Sequence, residues 1–584
     1  MQNKISNELW ETFYAARYVF VAIAIFSFFL NLLMLVSPFY MLQVYDRVLT
    51  SQSKDTLYVL TLLAVGLLGI SAILELARGR ILVRLGARLD RDVTHDLFAA
   101  LIEDRIATRR SVGSQPIRDL ESVRSFLTGP GLLAFFDAPW IPLFLGLIFL
   151  FHPLLGIVAL AGAIILFVLA IMSEFMTRAP WQQASNESMQ AHRFAETSLR
   201  NADVIWALGM LGDLRRRWQQ KHLLALAHTG KATDRLGTFS AIAKFVRPLL
   251  QIGLLGFGAY LVIEQEISAG VMIASSIVMG RALAPVEASI THWRSFISAR
   301  SAYSRLNKLL GEYDVNRKRM KLPVPSGRIS VEGMTLVPPG ASKPALINVS
   351  FQLTPGELLG VVGPSAAGKS SLARALMGIW PPKVGHVRLD GADIAEWDRK
   401  DLGRYLGYLP QDVELFDGTV ADNIARFENF KPEDVNQAAQ IANAHEMILR
   451  LPEGYDTQIG EGGSVLSGGQ RQRIGLARAI YRMPCFIVLD EPNANLDSEG
   501  EAALRITLKR LKKLGKTVMI ISHKRSTLSD TDKLLVLDAG RVKMFGPRSE
   551  VLQKLWTPQV VADQPAPDAD AAEKRVEKKV AVEK

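Results

Sequence analysis

The sequence predicts two halves of different fold class: an α-helical membrane domain of six transmembrane helices, followed by an α/β nucleotide-binding domain built around a phosphate loop. Three observations predict this. Long apolar runs crowd the first half of a 584-residue chain that is 49% hydrophobic. Short apolar runs alternating with helical stretches fill the second half, the pattern of an α/β domain. Residues 363–371 read GPSAAGKSS and directly follow the apolar run LLGVV, which fits a strand, a glycine-rich anion-binding loop and a helix in succession.

A chain of this length exceeds one compact core. A bilayer core about 30 Å thick needs about 20 residues of helix. Six stretches reach or approach that length, roughly residues 18–42, 57–77, 131–151, 154–176, 245–264 and 267–286. Residues 1–17 carry both signs of charge and no small-x-small cleavage pattern follows, so the first run is expected to be an anchor and not a removable signal. Six spans put both chain ends on one side of the membrane.

The connections after the first, third and fifth spans are short. Those near residues 78–130 and 177–244 are long and richer in Arg and Lys than in acid, with Arg78, Arg80, Arg84, Arg88 and Arg91 in one and Arg215, Arg216, Arg217 and Lys221 in the other. The positive-inside bias makes these cytoplasmic. Their helix-period apolar positions predict that they prolong the membrane helices. Ionisable residues at membrane depth are costly. For Asp137, in FFDAPW, a bond to a neighbouring helix is favoured over contact with cargo. Arg281, Glu287, His292 and Arg294 either line a polar path or mark where the sixth helix leaves the bilayer.

The net charge of +11 is small for the length, and basic cytoplasmic loops account for part of it, so no nucleic-acid partner is expected. A single cysteine, Cys485, excludes a disulfide framework and a cysteine-rich metal site within one chain. The expected organisation is a membrane domain over 1–310, a charged and proline-containing linker over 311–328, a nucleotide-binding domain over 329–556, and a disordered tail over 557–584.

The chemistry lies in three stretches. In the phosphate loop, which also carries Pro364, Gly363 and Gly368 let the backbone curl so that successive N–H groups around Ser365, Ala366, Ala367 and Ser371 face an anion. Lys369 neutralises β- and γ-phosphates, and the Ser370 hydroxyl holds Mg²⁺. In FIVLD, an apolar strand delivers Asp490 as a metal-side carboxylate, and Glu491 follows as the base that polarises the attacking water. In LSGGQ, residues Leu466, Ser467, Gly468, Gly469 and Gln470 open a second helix whose exposed N–H groups suit an anion.

These residues together resemble the ATP-binding cassette (ABC) transporters, whose signature is LSGGQ, and the resemblance covers nearly the whole chain. It implies the ABC exporter fold, with a helical subdomain in the nucleotide domain. GPSAAGKS is then the Walker A loop and FIVLD the Walker B strand. Gln411, in YLPQD, matches the Q-loop glutamine that contacts Mg²⁺ or the attacking water. Asp497, in NANLD, matches the D-loop, and His523, in IISHK, the switch histidine near the γ-phosphate. One departure is that Val337 and Pro338 stand where the family commonly stacks adenine on an aromatic ring. In the family the signature of one nucleotide domain closes over the Walker A site of another, so a homodimer with ATP and Mg²⁺ is implied.

More narrowly, SPFYMLQVYDRVLTSQS, FFDAPWIPLFLGLIFLFHPLLG and the VPPG departure resemble the type I secretion permease/ATPases. That resemblance implies a bacterial inner-membrane exporter with a cytoplasmic nucleotide domain. Its cargo would be unfolded polypeptides with C-terminal signals, such as proteases or glycine-rich repeat proteins. Its partners would be a membrane fusion protein and an outer-membrane channel. With the first span starting near residue 18, an N-terminal peptidase-like domain is not expected. A lipid or drug exporter of the same architecture is the alternative, and a membrane-tethered regulatory ATPase is the alternative of another class.

Overall fold

The computed structural model describes residues 14–108, 115–313 and 321–556. The chain divides between Asn316 and Arg317 into two compact units, with the short stretch Ile106–Arg109 grouped with the second. The expected tail and residues 314–320 of the expected linker lie outside the described residues.

In the first unit, six helices are long and apolar enough to cross a membrane: Arg17–Ser51, Lys54–Thr108, Pro130–Phe151, Pro153–Arg200, Leu211–Ile263 and Ala269–Thr291. Four of the expected spans fall within them, and those at 245–264 and 267–286 overrun the fifth and sixth helices by only one and two residues. The second, fourth and fifth helices run for 55, 48 and 53 residues. At 1.5 Å per residue each is roughly 70–80 Å long, more than twice a bilayer core. The basic segments therefore continue the membrane helices, as expected. More than half of the sixth helix's apolar window is buried within the chain, while none of the second's is. The sixth is thus a packing core and the second presents its apolar side chains outward, as a lipid-facing helix does.

Phe144, Ile148, Leu155, Leu166, Leu254, Met279 and Leu283 form the centre of this unit. The third span is interrupted by a 3₁₀ turn at Ala138–Trp140, where Pro139 has no N–H to continue the ladder. The first helix extends past its expected end through a π-helical turn, Val44–Val48, as far as Ser51. That turn carries Asp46, whose carboxylate accepts from the Gly270 N–H at 2.9 Å and from the Ser268 hydroxyl. An acidic group at this helix N-terminus satisfies donors that have no partner within the helix. His152 bonds Glu266 at 3.1 Å, so the turn before the sixth helix is held from two directions.

Asp137 takes the structural part. Its Oδ1 accepts from Asn31 at 3.0 Å, from Arg78 at 3.1 Å and from Ser27, which ties the first three spans together. Glu287 is paired with Arg247, whose other nitrogen donates to the Gly280 carbonyl at 3.0 Å. This member of the sixth-helix set therefore forms a bridge between helices.

The second unit holds two sheets. Its strands are β1 (Ile329–Leu336), β2 (Leu346–Leu353), β3 (Leu358–Val362), β4 (Val384–Leu389), β5 (Ala392–Asp393), β6 (Leu406–Leu409), β7 (Phe486–Asp490), β8 (Thr517–Ile521), β9 (Lys533–Asp538) and β10 (Arg541–Pro547). A six-stranded sheet has the order β10-β9-β3-β8-β7-β6, parallel except for the β9–β10 hairpin. A four-stranded antiparallel sheet has the order β2-β1-β4-β5. Every residue of β7 and β8 is buried, as covered parallel strands require. Between β6 and β7 lie the helices Val420–Ile424, Pro432–Ile441, His445–Leu449 and Gly468–Ile480. They pack through Ile424, Val435, Ala438, Ile448 and Ile474, which gives the expected helical subdomain.

The ion pair in the membrane unit yields a test. The Arg78 side chain is only 5% exposed, so Asp137→Ala strands a buried cation. Loss of one partner of such a pair costs about 3–5 kcal/mol. Thermal unfolding of the purified variant is expected well below the parent, with Asp137→Asn between the two. Equal melting of Asp137→Ala and the parent would contradict the tie.

Candidate nucleotide site

β3 lies inside the parallel sheet, and its C-terminal end opens into the phosphate loop, the position where doubly wound sheets bind ligands. Two glycines are required there by their surroundings. A Cβ on Gly363 would lie 2.2 Å from the Leu537 carbonyl oxygen. Gly368 has a left-handed φ of +98°, and its Cβ would meet the Ala345 carbonyl oxygen at 2.7 Å. Only glycine lets the loop pass so near its neighbours. The chain then enters the helix Lys369–Leu376, whose first N–H groups have no partners within the helix.

The Lys369 ammonium donates to the loop's own Gly363 and Pro364 carbonyls at 2.8 and 2.9 Å. Burial lowers its pKa, while the negative charges of Glu491 and Asp490 oppose that shift. β7 supplies those two carboxylates. Asp490 is 1% exposed and its Oδ1 has no hydrogen-bond partner. Burial raises its pKa, and the Ser370 hydroxyl bonded to the carboxylate works against that rise. Glu491 has a left-handed φ of +50°, and its N–H donates to the Ile521 carbonyl at 3.0 Å. A non-glycine residue in that region is strained, and the turn directs the chain away from β7.

The expected residues converge on Glu491. Gln411, at the end of β6, donates to its Oε2 at 3.4 Å, and His523, after β8, places Nε2 3.5 Å from its Oε1. The signature forms a separate group. Ser467 caps the helix Gly468–Ile480 in a reciprocal capping box with Gln470, which fixes the orientation of the Gly468 and Gly469 backbone. Asp497 caps the helix Ser498–Lys513 through the Gly500 N–H at 2.8 Å. It also sits 3.5 Å from Arg473. Ser467, Gly469, Gln470 and Asp497 line a cavity of about 1000 Å³ in which no residue of the phosphate loop takes part. Val337 and Pro338 are half-buried, and the Pro338 carbonyl closes a short turn with the Ala341 N–H.

Three further residues belong to the site. Arg374 lies over the Trp380 ring at 4.7 Å and acts on Asp490 and Tyr408. Burial pushes the Tyr408 phenol up to about 12. Asn493 accepts from the buried Ser522 hydroxyl at 3.0 Å, which joins the segment after β7 to the segment after β8. The sequence held a signal for Arg374, four residues after Ser370 on one helix face.

The donor set fits a hard cation. Asp490 offers a buried carboxylate oxygen without a partner, next to the Ser370 hydroxyl. Among the described residues no three His, Cys, Asp or Glu side chains gather as a ready cage, so the remaining oxygens would come from phosphates and water, as Mg²⁺ sites with nucleotides do.

This site on this sheet defines a class, and comparison with known proteins agrees. Residues 346–494 match the family described as ABC transporter, and residues 20–283 match the ABC transporter transmembrane region. The chain belongs to the ABC transporter family. It is 43% identical to the type I secretion system ATP-binding protein PrsD of Rhizobium meliloti, over 94% of this chain and 95% of that one. It is 30% identical to the cyclolysin secretion/processing ATP-binding protein CyaB of Bordetella pertussis, over 92% of this chain and 76% of that one. The solved structure of a bacterial Atm1-family ABC exporter with ATP bound has the same fold, with a TM-score of 0.80 at 24% identity, covering 94% of this chain and 99% of that one.

The raised pKa of Asp490 gives a pH test. Folding raises the value, so the folded protein holds that proton more tightly than the unfolded chain. The nucleotide-free protein gains stability as pH falls through the raised value and carries a penalty above it. Asp490→Asn removes the penalty. In EDTA its melting temperature is expected above the parent's at pH 7, with the gap closing below about pH 4. A variant that melts at or below the parent at pH 7 would contradict this.

Proposed function

We propose that this chain is the membrane-spanning ATPase subunit of a type I secretion complex, exporting unfolded polypeptides with a C-terminal signal from a bacterial cytoplasm. The observation that carries the reading is the near full-length similarity to a type I secretion ATP-binding protein at 43% identity. Similarity to a cyclolysin secretion protein supports the same cargo class. The chain would reside in the inner membrane and act with a membrane fusion protein and an outer-membrane channel.

In this reading the phosphate loop and Lys369 bind the ATP phosphates. Mg²⁺, held by Ser370, Asp490 and Gln411, would neutralise charge on the β- and γ-phosphates. Glu491 accepts the proton of the attacking water, Gln411 orients it, and His523 steadies the γ-phosphate end. The strained backbone of Glu491 and its contacts with Gln411 and His523 support that division of labour. The signature group, built apart from the phosphate loop, would complete the site of a second copy. A homodimer with two equivalent sites follows. ATP then closes the dimer, and hydrolysis with product release resets the helices. An exposed patch of Leu199, Val204, Trp206, Leu208 and Leu211, at the turn between the fourth and fifth helices, supports docking on another protein surface.

Glu491→Gln is expected to bind ATP and accumulate a closed dimer, seen by size-exclusion chromatography, while turnover falls by orders of magnitude. Normal turnover would remove Glu491 from the base role. Lys369→Ala is expected to weaken nucleotide binding itself in a filter or calorimetric assay. For the cargo, ATPase stimulation by a C-terminal secretion-signal peptide is expected. Stimulation by lipids or amphiphiles and not by peptide would favour a lipid or drug exporter.

A further inference from the structure

Below the apolar part of the fourth helix, the membrane unit contains a hollow of about 470 Å³ between the fourth helix, the fifth helix and the helix Trp293–Glu312. An adjoining hollow of about 310 Å³ shares Gln182, Ile297 and Ser301 with it. We propose that this double cavity receives acidic side chains, or the terminal carboxylate, of an extended cargo polypeptide at the cytoplasmic side. The inference rests on the polypeptide-export reading and names the chemistry by which cargo is first held.

The charge balance carries the argument. Arg178, Arg294 and Arg300 line the two hollows, and none of them has an ion-pair partner among the described residues. Arg305 is already committed to Asp119, in two bonds of 2.8 and 2.6 Å. The one acidic residue of the lining, Glu174, accepts from the Trp293 indole. Like charges gathered on a concave wall focus their field on what enters. The guanidinium of Arg294 lies over the Trp181 ring at 4.4 Å, a stack that fixes its plane while leaving its N–H edges free for a carboxylate. The indole N–H of Trp181 is itself buried without an acceptor, a donor whose partner is still to be supplied.

The rest of the lining favours a peptide over a lipid. Gln182, Asn186, Ser185, Ser298 and Ser301 can pair with main-chain amides, and Ala184 and Ile297 are the only aliphatic residues of the larger hollow. An acyl chain would find little apolar surface there. The local backbone is also prepared. Pro180 interrupts the hydrogen-bond ladder of the fourth helix just before Trp181, and the Met176 carbonyl so released is taken by Arg235 of the fifth helix at 2.8 Å. The break is therefore compensated, as a lasting feature of a helix must be.

The test uses the full-length protein in phosphatidylcholine nanodiscs, titrated calorimetrically with two short serine-rich peptides that differ only in carrying aspartate or asparagine. The aspartate peptide is expected to bind about tenfold more tightly, with the gap shrinking as salt rises. In the double variant Arg294→Gln, Arg300→Gln the preference is expected to vanish, with thermal melting as the folding control. Retained preference in a folded double variant, or equal binding of both peptides to the parent, overturns the proposal. Equal binding leaves the export reading standing, whereas no binding of either peptide together with ATPase stimulation by lipid removes both. Displacement of the aspartate peptide by phosphatidylglycerol would assign the cavity to a lipid headgroup and overturn the assignment to cargo.

Discussion

Two adjacent carboxylates at the end of β7 set the terms for the nucleotide unit. Asp490 is buried with one oxygen unpaired, and Glu491 follows it in a left-handed conformation. Burial of a charged carboxylate is costly unless it is paired or holds a cation. The fold answers with groups from elsewhere: Ser370 and Lys369 from the phosphate loop, Arg374 one turn on, and Gln411 and His523 from the ends of β6 and β8. Each follows the C-terminal end of a strand in one parallel sheet, β3, β6 or β8, either in the loop after it or in the first turns of the next helix. The strand order is therefore what gathers residues separated by more than a hundred positions.

The same constraint appears in the membrane unit with a different solution. Arg78, at 5% exposure, and Asp137 meet between the first three spans, and Ser27 and Asn31 complete the group. A charge held there needs its partner at short range, since no water competes to stabilise it. The Arg247–Glu287 pair does the same for the fifth and sixth helices. These bonds specify which helix lies beside which, something apolar packing alone fixes weakly in a lipid solvent.

How much of this was legible in the sequence follows from what each signal depends on. The six spans and their long helical extensions were readable because apolar length and the helix-period pattern are local properties of the chain. β3, β7 and β8 were readable because strands covered on both faces are short continuous apolar runs. β4, β5 and β10 were not: VGHVRL, between β1 and the two-residue β5, and RVKMFGP, at a sheet edge, both carry exposed residues among half-buried ones, and their strand character depends on their pairing partners. The capping role of Asp46 was hidden for the same reason, since its partners lie more than two hundred residues away. In the site, Glu491, Gln411 and His523 were named from motifs, but their convergence on one carboxylate is a property of strand order. Arg374 went unnamed because a basic residue in a helix is usually solvated.

The two halves of the motif set differ in how completely one chain can use them. Asp490, Glu491, Gln411, His523 and the loop gather around one point without help. Ser467 and Gln470 spend their side chains on capping each other, so what the signature offers a ligand is the backbone of Gly468 and Gly469. A backbone N–H site has no long side chain with which to reach; it works only when the anion is brought against it. No residue of the phosphate loop lines the cavity it borders with Asp497. On the proposed reading, an ATP held by one chain would meet the signature of another for both motif groups to act on the same phosphates. On that reading nucleotide occupancy would be coupled to the association of two chains, the differential binding a conformational cycle needs.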